Sequence, residues 1–221
     1  MGSGVPYMGA GQPVEAYDRS FNRQIFEAVE NNSFCLDVGS WTGNLGKALI
    51  DEKNCIVDGI DYNKEALEQA ARNGYRKTFL VDLNNDGLGR QIEGKYDFII
   101  CADVLEHLVN PDVILSQLKP FVKSHGQILI SVPNIAFIQQ RLKLLFGIFE
   151  YDPEGGIMDA THLRFFTLSS IKKLCTDAGY DVVKCFGYAQ VKRNVFSFLS
   201  PLAKTWPRLF AFQFLLRVKL H

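Results

Sequence analysis

Three aspartates follow short apolar runs in the first part of the chain, where each is placed to bind a ligand. Asp37 lies in LDVGSWTG, Asp61 in VDGIDYN and Asp82 in FLVDLNN. A carboxylate accepts hydrogen bonds from ammonium, hydroxyl or amine groups and repels phosphate. Any one of these acids serves equally well as a turn residue or helix cap, so a ligand site is predicted only from the three together.

Two histidines are candidates for proton transfer, because the unperturbed pKa of imidazole lies near neutrality. His107 stands in ADVLEHL, and His162 stands in ATHLRFF, where Arg164 is placed to meet an anionic or carbonyl group. The competing interpretation of either ring is a histidine that hydrogen-bonds the backbone. We favour His162 as the catalytic base, because its segment is expected to form the pocket for a second reactant.

Strands and helices alternate along the chain and must position these residues. Strands are predicted at residues 34–38, 55–60, 78–82, 96–102, 126–133, 181–187 and 209–220. Helices are predicted at residues 15–30, 45–50, 64–73, 104–122, 135–149 and 168–178. Nearly continuous apolar strands of this kind form parallel sheets covered on both faces, and such sheets bind ligands at the carboxyl ends of their strands.

Composition favours one globular domain without a nucleic-acid partner. The 221 residues are 47% hydrophobic and 22% charged, which is enough for a packed core. Lysine plus arginine number 24, as do aspartate plus glutamate, so no net positive field attracts nucleic acid. We expect a disordered or tag-like N-terminus at residues 1–13 and a single domain at residues 14–221, with an insertion at about 135–160.

Cysteine usage and the apolar C-terminal region indicate a cytoplasmic protein. The five cysteines include no CxxC pair, which fits buried thiols in a reducing compartment. Prolines and basic residues interrupt the apolar stretch 195–218, so no transmembrane segment is expected. The oligomeric state stays open.

The glycine turn GSWTGNLGK fits neither common phosphate-binding motif. A P-loop requires a glycine where Trp41 stands and a serine or threonine where Ala48 stands. A dinucleotide fingerprint also requires glycine at position 41. Asp37 would repel a pyrophosphate but attract an ammonium group, so S-adenosyl-L-methionine, which carries no phosphate, fits the turn better.

Five segments, in order and spacing, resemble the successive motifs of class I S-adenosylmethionine-dependent methyltransferases. They are LDVGSWTG, VDGIDYN, FLVDL, YDFIICADVLEHL and QILISVPN, within residues 14–134. The resemblance implies an α/β fold: a Rossmann-like, doubly wound, seven-stranded and mostly parallel sheet with an antiparallel last strand and a small helical insertion after strand five. The later segment DATHLRFFTLSSIKKLCTDAGY resembles a subgroup linked to quinone or surface-saccharide methylation.

The resemblance also implies which residues bind the cofactor. Asp37 shapes the methionine pocket, and Asp61, with Tyr62 beside it, takes the ribose diol. Asp82 and the backbone of Leu83 take the adenine, and the carbonyl of Cys101 meets the amino group. The residues that pack under the methionine and ribose are Gly39, Ser40, Trp41 and Gly43. Trp41 departs from the family, which usually has glycine there.

Two further features allow more than one interpretation. Asp103, Glu106 and His107 resemble the place where some quinone O-methyltransferases bind a divalent ion, with the three on shared helix faces. A capping acid beside an exposed pair is favoured instead, and no metal is expected. The insertion 135–160 is either a lid over the acceptor or a surface helix that buries a Phe/Leu stripe on the sheet.

The leading hypothesis is an enzyme, a methyltransferase that acts on a small-molecule acceptor, with oxygen as the expected nucleophile. His162 and His107 are the candidate catalytic residues. A non-catalytic cofactor-binding or partner-binding module is the alternative, motivated by Trp41. An RNA methyltransferase is less favoured, because strand four ends in CADV rather than in an amino-methylation motif and the chain has no basic tract.

Overall fold

The computed structural model describes residues 21–88, 92–153, 155–188 and 200–221, except for the side chains of residues 200 and 201. The predicted N-terminal segment 1–13 and the expected domain start at Val14 lie outside these ranges. No helix within them is long and apolar enough to span a bilayer.

Seven strands form a single sheet in the order β3-β2-β1-β4-β5-β7-β6. The strands are β1 (Phe34–Val38), β2 (Ile56–Asp61), β3 (Lys77–Leu80), β4 (Tyr96–Ala102), β5 (Val122–Pro133), β6 (Tyr180–Tyr188) and β7 (Gln213–Leu220). The first five strands pair in parallel, whereas β7 runs antiparallel to both β5 and β6. The predicted fold class is confirmed.

Eight α-helices are described between and beside the strands. They are α1 (Arg23–Ala28), α2 (Asn44–Lys53), α3 (Lys64–Arg72), α4 (Pro111–Leu118), α5 (Ile138–Leu145), α6 (Leu168–Asp177), α7 (Ser200–Thr205) and α8 (Pro207–Phe210). Local caps set several starts: the Asn63 side chain accepts from the amide of Ala66, as predicted. Thr167 and Ser170 form a capping box at α6.

Helices cover both faces of the sheet, which explains the continuous apolar strands. In β4, Ile99 packs into a core cluster with Leu115 and Tyr180, while its neighbour Ile100 packs into a second cluster with Ile25. Both isoleucines are fully buried. Burial of each such side chain contributes about 1.5–3 kcal/mol, so both faces of the strand stabilise the sheet.

The structure breaks the single helix predicted for residues 104–122. A short 3₁₀ turn, Leu105–His107, follows β4, and α4 begins only at Pro111. Proline is favoured at the first position of a helix, where its missing N–H costs nothing, but it breaks a helix interior. Helix geometry therefore does not relate Asp103 to Glu106 and His107.

The insertion after β5 does not bury the apolar stripe that one of its two interpretations requires. Helix α5 covers Ile138–Leu145, a shorter span than residues 135–149, and Gln140 is its buried residue. Leu142, Leu144 and Leu145 are exposed. The interpretation of a surface helix with a buried Phe/Leu stripe is therefore wrong.

Candidate active site

The glycine turn after β1 has a backbone that only residues without a side chain adopt easily. Gly39 and Gly43 have φ angles of 72° and 80°. A Cβ atom on Gly39 would lie 2.6 Å from the Val104 side chain, and one on Gly43 would lie 2.9 Å from the Cα of Ala70. The amide of Gly39 donates to the carbonyl of Ile60 at 2.8 Å, which ties the turn to β2.

Trp41, which stands where the family usually has a small residue, most often glycine, adopts the left-handed conformation. Its φ angle is 48°, which costs an L-residue about 1–2 kcal/mol. Its amide donates to Oδ2 of Asp61 at 2.8 Å. The backbone of the turn therefore keeps its conformation despite the indole, and Trp41 connects the turn to the end of β2.

Asp37 is a buried carboxyl group that gains or loses its proton near neutral pH. It is 3% exposed, and the Tyr75 hydroxyl donates to its Oδ2 at 2.6 Å. Burial raises the pKa of Asp37 to about 7, although the bond from Tyr75 opposes that rise. A cation placed beside Asp37 would therefore favour its ionised form near neutral pH.

Asp61 stands at the end of β2 with both carboxylate oxygens already ordered. Oδ2 accepts from the Trp41 amide, and Oδ1 accepts from the Asn63 amide at 2.9 Å. Burial raises the pKa of Asp61. The backbone amides of Asn63, Trp41 and Tyr62 all lower this pKa, and a carboxylate with about four acceptor positions retains at least one for a hydroxyl donor. Tyr62 is 41% exposed directly beside this group.

Asp82 orders the turn that follows β3. Its carboxylate accepts from the amide of Asn84 at 2.9 Å and from the side chain of Asn85 at 2.7 Å. Leu83 is partly buried against the core. Asn84 in turn donates to the His107 carbonyl at 3.2 Å, so this turn contacts the segment after β4.

Cys101 lies near the end of β4, directly beside Val38 of β1. Its side chain is fully buried, and burial raises the pKa of the thiol. The thiol is therefore inert as a nucleophile, which leaves the backbone of Cys101 as the group that can reach a ligand.

Glu106 is a buried carboxyl that the described residues leave unsatisfied. It is 1% exposed, and neither carboxylate oxygen has a hydrogen-bond partner within the described ranges. Burial raises the pKa of Glu106 well above its usual range, with further contributions from Asp103 and Asp159. A neutral acid is therefore favoured until a cation or a donor approaches.

His107 and His162 lie edge to face, with ring centroids 4.7 Å apart. Nδ1 of His107 lies 3.3 Å from the Thr161 carbonyl oxygen, and Nδ1 of His162 lies 3.1 Å from that of Ile157. Burial lowers the pKa of both rings, that of His107 to about 4 with a contribution from His162. Both rings are therefore neutral, and each leaves Nε2 for another partner.

The Asp103 carboxylate is hydrogen-bonded by side chains other than those of Glu106 and His107. The backbone of Asp103 has a φ angle of 56°, and its carboxylate accepts from Ser131 Oγ at 2.8 Å and from the side chain of Gln213. The cluster suggested by Asp103, Glu106 and His107 therefore does not form. His162 completes it instead, and one ligating atom from each of Glu106, His107 and His162 lies within 4.8 Å of the other two.

A narrow crevice, too tight to admit a water molecule unless its walls move, lies beside this cluster, beyond the carboxyl ends of β4 and β5. Its lining residues include Glu106, Pro133, His162, Phe165 and Phe166. Arg164 also borders the crevice, but its guanidinium donates to the Val109 carbonyl, at 3.1 Å from Nε. Its guanidinium therefore bonds the protein's own backbone, whereas the sequence predicted a contact with an anionic or carbonyl group of the acceptor.

A family model described as a methyltransferase domain matches residues 14–185, well over half of the chain. The chain belongs to the class I S-adenosylmethionine-dependent methyltransferases. The order of its sheet, with the antiparallel β7 inserted between β5 and β6, agrees with that assignment.

The domain is similar to curated and structurally solved methyltransferases at low identity. It is 25% identical over 159 residues to a ubiquinone biosynthesis O-methyltransferase of Aromatoleum aromaticum, covering 69% of this chain and 65% of that protein. The chain thus spans less than two thirds of the length of that relative. A possible histamine N-methyltransferase of Thermotoga maritima has a TM-score of 0.65 at 14% identity, covering 90% of this chain and 87% of that one.

A third similar protein is the magnesium protoporphyrin IX methyltransferase of Synechocystis, solved with bound S-adenosylhomocysteine. It has a TM-score of 0.58 at 18% identity and covers 89% of this chain and 82% of that one. At such identities the two solved structures support the fold. The family assignment itself implies S-adenosylmethionine as the cofactor.

The residues of this methyltransferase domain fit that cofactor. Buried carboxylates of Asp37 and Asp61 stand at the ends of adjacent strands, with lone pairs for an ammonium and a diol. The glycine turn between them is packed tightly against the protein, because a Cβ atom on Gly39 would meet Val104 and one on Gly43 would meet Ala70. No phosphate-binding cation is required, because the cofactor carries no phosphate.

Sequence reasoning missed the partners that fix these groups. The Tyr75 hydroxyl, in the loop after α3, donates to the Asp37 carboxyl group. The side chains of Ser131 and Gln213 donate to the Asp103 carboxylate. The sequence signal for the cluster is weak: Glu106 and His107 are adjacent after strand four, and His162 follows 55 residues after His107. Nothing in the sequence links these two positions.

Proposed function

We propose that this protein transfers a methyl group from S-adenosylmethionine to an oxygen of a small-molecule acceptor. The observation that supports this most directly is the cluster of Glu106, His107 and His162 beside the glycine turn. Val104, two residues before Glu106, has side-chain atoms within van der Waals reach of Gly39. The candidate acceptor site and the cofactor turn are therefore neighbours at one edge of the sheet.

The proposed roles in cofactor binding follow the strand ends. Asp37 would balance the ammonium charge, Asp61 would accept from the ribose diol with Tyr62 beside it, and Asp82 with Leu83 would hold the adenine. Gly39, Ser40, Trp41 and Gly43 would lie under the methionine and ribose. The carbonyl of Cys101 would accept from the amino group.

Bound S-adenosylmethionine would supply an activated methyl group on a sulfonium. In the reaction the S–CH₃ bond breaks, a C–O bond forms, and the acceptor hydroxyl loses its proton. His162 and His107 are proposed as the groups that make this oxygen nucleophilic, since both are neutral, His162 borders the crevice and the ring of His107 contacts that of His162. The protein's main contribution would be alignment of the acceptor oxygen with the methyl group.

The acceptor class and the compartment belong to the same proposal. The A. aromaticum relative acts, by its name, in ubiquinone biosynthesis, and the THLRFF segment borders the crevice; both support a phenol or quinol acceptor. The five cysteines are free thiols, four of them buried, which fits a cytoplasmic location. No nucleic-acid partner is proposed, because the charge is balanced.

A turnover assay tests the proposed activity. The full chain is incubated with S-adenosylmethionine and a panel of phenols, quinols and sugars, and S-adenosylhomocysteine is quantified. We expect turnover with an oxygen acceptor, and we expect His162→Ala to reduce it about 10²–10⁴-fold. His125→Ala is the matched control, because His125 is exposed and pairs with Asp97, and it should keep full turnover.

The same assay tests the alternative of a non-catalytic cofactor-binding module. Trp41 at a position usually held by glycine motivates that alternative. Binding of S-adenosylhomocysteine without turnover across the whole panel would support the module and contradict the proposed enzyme.

A further inference from the structure

The cluster of Glu106, His107 and His162 is held together by the backbone of two segments. Glu106 and His107 belong to the 3₁₀ turn after β4, whereas His162 belongs to the loop before α6. The amides of Leu163 and Arg164 both donate to the Glu106 carbonyl, at 2.8 and 2.9 Å. The loop is therefore fixed on the turn, and the three side chains are presented by a defined scaffold.

Both histidine rings have a hydrogen-bond partner of the kind that metal-binding histidines use. A metal-binding imidazole usually donates its second ring N–H to a backbone carbonyl or carboxylate, which fixes the tautomer. Nδ1 of His107 faces the Thr161 carbonyl and Nδ1 of His162 faces the Ile157 carbonyl. With those protons on Nδ1, the lone pairs of both rings are on Nε2.

Glu106 provides a second, independent observation. Its carboxyl group is buried and has no hydrogen-bond partner within the described ranges. A buried polar group without a partner costs about 1–3 kcal/mol, and more when it is charged. A cation bound next to it would offset that cost and would explain why an acid is kept at this place.

We propose that Glu106, His107 and His162 together bind one divalent transition-metal ion, with at least one coordination position left open toward the crevice. Asp103 does not belong to the ligand set, because Ser131 and Gln213 occupy its carboxylate. The site therefore differs in composition from the acidic cluster that the sequence suggested, and His162 is its decisive member.

Ligand chemistry favours zinc and neighbouring transition metals over magnesium and calcium. Two imidazole nitrogens and one carboxylate suit Zn²⁺, Mn²⁺ or Fe²⁺, whereas Mg²⁺ and Ca²⁺ prefer oxygen ligands. Ligand atoms around a tetrahedral Zn²⁺ with bonds of about 2.0–2.1 Å lie about 3.4 Å apart. In the structure the candidate ligand atoms of Glu106, His107 and His162 lie within 4.8 Å of one another. Any two of them would therefore have to move closer by about 1.4 Å at most to bind one Zn²⁺ ion.

The role of the ion rests on the proposed function. Its open position would bind the acceptor oxygen and lower the pKa of the hydroxyl, whose proton would leave to solvent. His162 and His107 would then make the oxygen nucleophilic by holding the ion, rather than by taking the proton themselves. The Phe165 and Phe166 side chains at the crevice would restrict access of bulk water to the ion.

Zinc titration of the full chain without an affinity tag tests the site directly. Protein treated with a chelator and then dialysed is titrated with ZnCl₂ by calorimetry, and bound zinc is counted after gel filtration. We expect one equivalent of zinc per chain, with binding at least 30-fold weaker in both Glu106→Gln and His162→Asn. Asp103→Asn should bind zinc within fivefold of the wild type, because its side chain faces Ser131 and Gln213.

Two controls distinguish loss of the metal site from loss of the fold and from zinc bound at the protein surface. Each variant is first tested for binding of S-adenosylhomocysteine, which should stay within threefold of the wild type. His125→Ala should keep the zinc, because His125 lies on the exposed surface. The proposal is overturned if the wild type binds no zinc at 100 μM, or if Glu106→Gln and His162→Asn retain full affinity. Full turnover by the metal-free protein would overturn the proposed role of the metal ion and leave the proposed methyltransferase function intact.

Discussion

The proposed site has a cofactor half at the ends of β1, β2 and β3 and an acceptor half formed by Glu106, His107 and His162, and the acids of the two halves differ in their hydrogen bonds. At the ends of β1, β2 and β3, each of Asp37, Asp61 and Asp82 accepts at least one hydrogen bond from the protein. After β4, the carboxyl group of Glu106 has no partner within the described ranges. The first half is therefore ordered by the protein's own hydrogen bonds, whereas the second would be completed by the proposed metal ion.

Replacement of Asp61 should have the largest effect on the cofactor half. Asp61→Asn removes the charge that accepts from the Trp41 and Asn63 amides and, as proposed, from the ribose diol. We expect about 50-fold weaker binding of S-adenosylhomocysteine, because a hydrogen bond to a charged group contributes about 1.5–3 kcal/mol. Calorimetry measures this change, and Asp51→Asn on the exposed face of α2 is the control. An unchanged affinity in Asp61→Asn would remove the ribose assignment.

The charge of Asp37 should make cofactor affinity depend on pH. Since its pKa is about 7, the carboxyl must lose a proton to pair with an ammonium below that pH. Affinity for S-adenosylhomocysteine should therefore rise about tenfold between pH 6 and pH 8 in the wild type. Asp37→Asn should show less than a threefold change over the same range.

The Tyr75 hydroxyl sharpens the same test. Its bond to Asp37 favours the ionised carboxylate, so Tyr75→Phe should move the midpoint of the pH profile to higher pH. A flat profile in the wild type, or a midpoint that moves to lower pH in Tyr75→Phe, would contradict the assignment of Asp37 as partner of the ammonium.

Replacement of Trp41 should have a small effect if the backbone, rather than the indole, forms the cofactor turn. Trp41→Gly keeps the amide that donates to Asp61 and releases about 1 kcal/mol of backbone strain. We expect affinity for S-adenosylhomocysteine within threefold of the wild type, measured by calorimetry. An increase of more than tenfold would show that the indole occupies the methionine pocket.

Much of the cofactor half could be predicted from sequence because its residues follow strand ends. Strand β1 and strand β4 have the predicted bounds, and Asn63 caps α3 as its position indicated. Parallel pairing then places Val38 beside both Ile60 and Cys101 without further information. Local pattern and the regular geometry of a parallel sheet were sufficient for this part.

The two histidines of the acceptor half were candidates from sequence, but their arrangement with Glu106 could not be predicted, because the contacts are distant in sequence and depend on loops. His162 meets His107 through a loop whose amides bind the Glu106 carbonyl, a contact without periodicity. The predicted helix begins only at Pro111, which removes the assumed shared helix face of Asp103 and Glu106. Polar partners such as Gln213, 110 residues beyond Asp103, carry no signal in a single sequence.

The central claim is that S-adenosylmethionine binds at the strand ends, independently of the neighbouring histidine cluster. Titration of S-adenosylhomocysteine into the wild type and into His162→Ala, under identical conditions, tests it most directly. The account predicts one site per chain in both proteins, with affinities that agree within threefold. Absence of binding to the wild type at 1 mM ligand, or a loss of more than tenfold in His162→Ala, would contradict it.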